Sequence, residues 1–282
     1  MGVSRPGRQI NYRDIRLMLW ISFIAFTLIC FSFSMFDVTF KIKEFFRNVA
    51  YYGATLLALS GTFLAGMRSE KQQRRLWLTL SAAILVWSLG DSYIGFQQFF
   101  TGLKGITRPS AADALYVVAY ILFVTVAYFF ARISKTKTPR RRKIDIQYVL
   151  CWSGLFVASV IIAWGMILNP IYQSVAGGTR IGILEELYPI LDIAIVVSLL
   201  GKYFKEPSTF WEKSEVYIVI GVTTFMAADI VYHFLAITGA YRVQNLMANI
   251  VCIIWLMGDY IIFMGALYKI AWDNYNKAHY TA

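Results

Sequence analysis

Eight long apolar runs divide this sequence and constrain its fold more than any other feature. Each run holds 19 to 26 residues, and a helix of that length rises about 30 Å, the thickness of the hydrocarbon core of a bilayer. The runs cover residues 15–36, 46–67, 76–100, 113–133, 147–168, 186–204, 215–237 and 246–271. A lipid-exposed segment must satisfy its own backbone hydrogen bonds, so each run is predicted to be a transmembrane helix. We therefore expect an all-α, polytopic membrane protein, with residues 1–282 forming a single transmembrane domain.

Composition excludes most soluble classes. Hydrophobic residues make up 58% of the chain and charged residues only 15%, which is typical of membrane proteins. The gaps between runs are too short for a separate enzyme domain, and the sequence has no HExxH, GxSxG, P-loop or paired-cysteine motif. We predict that the protein is not an enzyme, and the sequence identifies no cofactor.

The distribution of Lys and Arg predicts the orientation in the membrane. If alternate gaps lie on the same side, 20 of the 27 basic residues share one side with both termini and 7 lie on the other. Under the positive-inside rule, both termini are cytoplasmic in the cell membrane. The net charge of +11 then reflects topology and attraction to lipid headgroups, and it does not indicate nucleic-acid binding. The strongest basic cluster, Arg140, Arg141, Arg142 and Lys143, is expected to contact lipid or to dock a cytoplasmic partner.

A weak internal similarity predicts a duplication. Shifting the second half by about 138 residues aligns Trp87 to Asp91 with Phe225 to Asp229, and nearby Thr-Gly pairs also align. A repeat unit of four spans enters the membrane from the same side twice, so the repeats would be parallel. We therefore predict two tandem four-helix repeats, 15–133 and 147–271.

Five aspartates lie within the apolar runs or at their edges, where a carboxylate is costly unless it faces the bundle interior. The predicted topology places all five between the middle of the membrane and its outer face. Together with nearby aromatic residues they predict a pocket open to the outside for a small cationic or amphipathic ligand. The predicted ligand-binding residues are Asp91, Asp113, Asp192, Asp229, Trp87, Tyr116, Tyr188, Tyr232 and His233. The expected members of an ion or proton path are Asp259, Glu185 and Glu186.

Other roles for these acids stay open at this point. They can serve only as hydrogen-bond partners between helices, or they can form a proton or cation path as in transporters. A metal site is not predicted, because His233 is the only histidine in an apolar run and no Cys or second His stands at ligand spacing. Residue type alone would allow calcium near Glu185, Glu186 and Asp113, but no loop has the EF-hand pattern.

Four short motifs resemble a known family. These motifs are Trp87 to Asp91, Pro109 to Tyr120, Tyr188 to Asp192 and Ala228 to Tyr232. Their succession is similar to the multi-span sensory region that precedes diguanylate cyclase (GGDEF) or PAS/histidine-kinase output domains in many prokaryotic proteins. The resemblance implies signal reception within the membrane.

No output domain follows the motifs within these 282 residues, so we expect a sensor that signals through a separate cytoplasmic or membrane protein. The alternatives are a small proton- or cation-coupled transporter or channel, and a structural subunit of a larger membrane complex.

Overall fold

The computed structural model describes residues 12–35, 40–101, 110–133, 183–205, 213–240 and 246–280, together with positions 161, 165 and 169. The described ranges are helical and contain no β-strand, which confirms the all-α prediction. The helices are α1 Tyr12–Met35, α2 Phe40–Arg68, α3 Lys71–Thr101, α4 Ala111–Arg132, α5 Ile183–Lys205, α6 Lys213–Ile237 and α7 Leu246–Tyr280.

Five helices are long and apolar enough to cross a membrane. Their apolar segments are Asn48–Arg68, Lys71–Gln97, Ala111–Arg132, Ser214–Ile237 and Leu246–Asn274, and shorter apolar segments lie in α1 and α5. Seven of the eight predicted runs therefore coincide with helices. The remaining run, 147–168, lies outside the described residues apart from positions 161 and 165, so the count of eight spans stays a prediction.

The six helices from α2 to α7 pack in a ring. Each contacts the next one along the chain, α7 also contacts α2, and α1 lies outside the ring against α7 and α2. Helices α3 and α6 end, and α2, α4, α5 and α7 begin, at the same end of the ring, which we call the upper end. Large apolar side chains such as Leu56, Phe63 and Ile121 are 50 to 62% exposed on the outside, as expected for a surface that faces lipid.

Small residues bring α6 and α7 into close contact. A Cβ atom added to Gly221 would lie 3.0 Å from the carbonyl oxygen of Gly258, and one added to Gly258 would lie 3.0 Å from the backbone nitrogen of Phe225. Such glycines allow membrane helices to approach backbone to backbone. The close approach places Asp229 of α6 and Asp259 of α7 at fixed positions inside the same ring.

Candidate functional site

Each of the five consecutive helices α3 to α7 contributes one aspartate to the ring. Asp91 of α3 is half-buried, and the other four are at most 4% exposed. These four are Asp113 of α4, Asp192 of α5, Asp229 of α6 and Asp259 of α7. The structure does not gather the five acids at one point. It divides them among separate hydrogen-bonded groups.

The first group, which we call the Asp91 centre, consists of Asp91, Tyr51 and Tyr116. Both tyrosines donate their hydroxyl hydrogens to the Asp91 carboxylate, Tyr51 from α2 to Oδ2 and Tyr116 from α4 to Oδ1 at 2.5 Å. Each carboxylate oxygen therefore has a donor from a different neighbouring helix. Hydrogen bonds to a charged group are the stronger class, so the Asp91 centre ties α2, α3 and α4 together.

Gly90 and Trp87 explain how Tyr116 reaches Asp91. A Cβ atom on Gly90 would lie 2.8 Å from the Tyr116 ring, so only glycine leaves room for the ring at that position. Trp87, one turn earlier on α3, packs against the Tyr116 ring with centroids 5.1 Å apart and against Phe225 of α6 at 5.2 Å. The predicted residues Trp87, Asp91 and Tyr116 are thus in one cluster.

The second group, which we call the paired-acid centre, consists of Asp192, Asp229, Tyr120 and His233. The Tyr120 hydroxyl oxygen lies 2.8 Å from Asp192 Oδ1 and 3.1 Å from Asp229 Oδ2. A phenol carries one hydroxyl hydrogen and can donate it to only one carboxylate at a time. The Tyr120 hydroxyl therefore serves one of the two buried acids at a time.

His233 completes the paired-acid centre. It follows Asp229 by one helical turn and is 5% exposed. One potential ligand atom from each of Asp192, Asp229 and His233 lies within 4.8 Å of the other two. Sequence spacing indicated no metal site because these atoms come from two helices, yet their arrangement could hold a cation.

Two of the predicted aromatic residues line the paired-acid centre. The Tyr188 ring stacks on Tyr120 with centroids 5.3 Å apart and lies 5.7 Å from the His233 ring. Tyr232 contacts the His233 ring at 5.3 Å and packs against Trp255 of α7 at 5.5 Å. Tyr188 thus covers the centre from α5, while Tyr232 joins it to α7.

Asp113 has a local structural role. Its Oδ2 accepts hydrogen bonds from the Ser110 backbone N–H at 2.6 Å and from the Ser110 hydroxyl at 3.1 Å. These bonds satisfy groups at the start of α4, as in a capping box. Its Oδ1 accepts the Tyr188 hydroxyl at 3.1 Å. Both oxygens of Asp113 therefore fix the start of α4 against α5.

Asp259 lies apart from the paired-acid centre. It accepts a hydrogen bond from Thr55 of α2 at 2.7 Å. A cavity of about 10 Å³ lies beside it, lined by Tyr51, Thr55, Ile84, Trp87, Phe123, Phe225, Asp259 and Ile262. This volume is close to the smallest that can hold one water molecule. Asp259 and Tyr51 of the Asp91 centre both line this cavity.

Some predicted residues lie outside the part of the chain that the structure describes. Arg140, Arg141, Arg142 and Lys143 belong to this group. Glu185 and Glu186 belong to the first turn of α5, but their side chains are outside the described residues.

Sequence reasoning missed three hydroxyl donors: Tyr51, Thr55 and Tyr120. A signal for Tyr120 was present, since Asp113, Tyr116 and Tyr120 follow at three- and four-residue spacing and share one helical face. Tyr51 and Thr55 are likewise one turn apart in an apolar run. Polar residues at helical spacing inside such a run indicate an interior face even where no acid is present.

Comparison of the chain with models of known protein families, with curated proteins and with solved structures finds no match. The geometry of the buried acids is therefore the basis on which a function can be proposed.

Proposed function

We propose that this protein is a multi-pass membrane sensor whose stimulus acts on the buried network of aspartates and hydroxyl groups. The observation that carries the proposal is the supply of one interior aspartate by each of five consecutive helices. Ionisable residues inside a membrane are costly, and they generally mark functional sites. Asp91 and Asp113 also join helices, but the paired acids Asp192 and Asp229 would add little to a bundle that needed only to be stable.

The hydrogen bonds provide a route from the stimulus to the helices. Four hydroxyl groups each join an aspartate to a neighbouring helix. They belong to Tyr51 and Thr55 of α2 and to Tyr116 and Tyr120 of α4. A ligand that withdraws one carboxylate from its hydroxyl partner changes which helices are held together. A two-state rearrangement of this kind is what a sensor transmits to a partner.

A proton- or cation-coupled transporter is the second candidate. It is favoured by the water-sized cavity that Tyr51 and Asp259, two members of the network, both line. A water molecule there would extend the chain of hydroxyl and carboxylate groups across the centre of the ring.

The topological details belong to the same proposal. We infer eight spans with cytoplasmic termini in the cell membrane, from the apolar runs and the basic-residue distribution. The packing supports two parallel repeats, because α2, α3 and α4 neighbour one another in the same order as α5, α6 and α7. The aligned residues Trp87 and Phe225 contact each other at 5.2 Å, as expected for equivalent residues beside a two-fold axis.

Distance measurements between spin labels test the sensor function. Labels at Met67 and Ile220, both exposed near the lower end, would report helix movement in lipid nanodiscs. The probes are choline, spermidine, Na⁺, Ca²⁺ and Zn²⁺, added singly. We expect at least one probe to shift the distance distribution, and Asp192→Asn, at the paired-acid centre, to abolish or strongly reduce that shift.

The matched control is Glu70→Gln, which removes an exposed carboxylate from the turn between α2 and α3. It should respond as the unsubstituted protein does. If no probe moves the labels, the sensor proposal is wrong. Flux of protons or of the same cations into liposomes, without a change in label distance, would favour the transporter instead.

A further inference from the structure

We propose that Asp192, Asp229 and His233 form a binding site for a divalent cation that accepts both oxygen and nitrogen ligands, such as Zn²⁺. The inference rests on the proposed function, since it names the ligand class of the same network. The three side chains are 0, 4 and 5% exposed, and one potential ligand atom from each lies within 4.8 Å of the others.

An unpartnered oxygen is the observation that points to a ligand. Asp192 Oδ1 receives the Tyr120 hydroxyl, whereas Oδ2 is buried and has no hydrogen-bond partner. A buried polar atom without a partner is costly, and in native structures it generally has an explanation such as a missing water or ion. A cation bound beside Asp229 and His233 would coordinate this oxygen.

Charge balance favours a divalent cation. Carboxylates bind a metal in the ionised form, and two ionised carboxylates in a buried site would repel each other strongly. The shared Tyr120 hydroxyl neutralises neither of them. Among the buried side chains of the described ranges, the cation Lys269 pairs with Asp273 at 2.8 Å and so does not serve these acids. One divalent ion would cancel both charges.

The ligand types favour a transition metal over Ca²⁺ or Mg²⁺. The hard cations prefer oxygen alone, whereas a set with imidazole and carboxylates suits Zn²⁺ and its neighbours. Asp229 and His233 are one turn apart on α6, so both face the same point, and Asp192 approaches from α5. Three protein ligands leave one tetrahedral position open, as in zinc sites that exchange their fourth ligand.

The separation of the ligand atoms is compatible with one bound ion. Ligand atoms around a tetrahedral Zn²⁺ lie about 3.4 Å apart, given bonds of about 2.1 Å. The three candidate ligand atoms lie within 4.8 Å of one another, so closing on an ion needs displacements of at most about 1.4 Å. Tyr120 lies within hydrogen-bond distance of both acids and Tyr188 is stacked on Tyr120. These two tyrosines would hold the ligands in orientation as outer partners do in other metal sites.

The test measures metal binding by the full chain in nanodiscs after chelator treatment. Calorimetric titration with ZnCl₂ and elemental analysis should give one Zn²⁺ per chain. Asp192→Asn and His233→Gln should each weaken binding at least about tenfold, while Glu70→Gln should bind as the unsubstituted protein does. Co²⁺ should give the visible absorption of a tetrahedral site with nitrogen and oxygen ligands, and His233→Gln should remove it.

Several results would overturn the inference. Binding of well below one Zn²⁺ per chain would do so. Equal affinity for Zn²⁺ in His233→Gln and the unsubstituted protein would also do so, because it would indicate binding elsewhere on the surface. Retention time on gel filtration and helical circular dichroism show whether each variant is folded, and His233→Gln decides the matter if Asp192→Asn fails to fold.

The inference and the proposed function can fail separately. If Zn²⁺ binds at this site but no probe moves the spin labels, the site stands and the sensor function is wrong. If organic cations move the labels but Zn²⁺ does not bind, the sensor function stands and the metal site is wrong.

Discussion

The Asp91 centre and the paired-acid centre use the same residue types in opposite proportions. At Asp91, one carboxylate receives two tyrosine hydroxyls, Tyr51 and Tyr116. At the paired-acid centre, the Tyr120 hydroxyl lies within hydrogen-bond distance of both carboxylates, and one oxygen of Asp192 has no partner. The unpartnered oxygen therefore distinguishes the paired-acid centre from the Asp91 centre, where both oxygens have a donor. We read the Asp91 centre as a structural tie and the paired-acid centre as the place for a ligand.

The largest expected effect comes from removing both donors of Asp91. The double substitution Tyr51→Phe and Tyr116→Phe leaves an interior charge without its two tyrosine donors, so we expect the free energy of unfolding to fall by about 3–5 kcal/mol. Unfolding by SDS titration in mixed micelles measures the change. Tyr128→Phe, at a tyrosine of α4 that is 49% exposed, is the control. A loss under about 1 kcal/mol would show that the two hydroxyls do not support Asp91.

Asp91→Asn should cost less than the double substitution. The amide can still accept one tyrosine hydroxyl, but its nitrogen cannot accept the other, so about 1.5–3 kcal/mol of stability is lost. The loss should appear without any ligand, by the same SDS titration. If instead Asp91→Asn is as stable as the unsubstituted protein, the Asp91 centre is not a structural tie and the contrast between the two centres is wrong.

Gly90→Ala tests the space that Tyr116 occupies. The added methyl group would lie 2.8 Å from the Tyr116 ring, and displacing the ring from Asp91 should cost about 1–2 kcal/mol. Gly53→Ala is the matched control, since a Cβ atom there meets nothing within 4 Å. The control should gain up to about 1 kcal/mol from helix propensity. Equal changes in thermal midpoint at the two glycines would contradict the geometry.

Asp192→Asn should have the smallest effect, and we expect it to be of opposite sign. In a chelator-treated sample the amide removes one of two like charges and places an N–H donor beside the acceptors of the paired-acid centre. The free energy of unfolding should stay level or rise by up to about 1 kcal/mol. A loss as large as that of Asp91→Asn would show that the two acids have equivalent surroundings.

The helices and their interior faces were predictable from the sequence alone. Seven of the eight apolar runs are helical in the described residues, because a backbone in hydrocarbon has no other way to satisfy its polar groups along one segment. The inward direction of Asp192, Asp229 and Asp259 follows from the cost of a charge in lipid. Neither inference depends on how one helix is rotated against another.

The sequence did not reveal how the acids divide into groups. It predicted one pocket for Asp91, Asp113, Asp192 and Asp229, whereas the structure pairs Asp192 with Asp229 and gives Asp91 and Asp113 separate partners. Asp113 illustrates the difference, since its contact with Ser110 is local, whereas its contact with Tyr188 spans 75 residues.

What the sequence by itself determined is the class of protein, its helical segments and the burial of its acids, since these depend on the composition of each segment and on the properties of lipid. Only the tertiary structure decided which hydroxyl serves which carboxylate. Tyr120 lies 72 residues from Asp192 and 109 from Asp229, and Thr55 lies 204 residues from Asp259. A hydrogen bond is lost when its donor and acceptor atoms move apart by less than about 1 Å. The rotation and crossing angles of the helices set that distance, and the composition of each segment does not specify them.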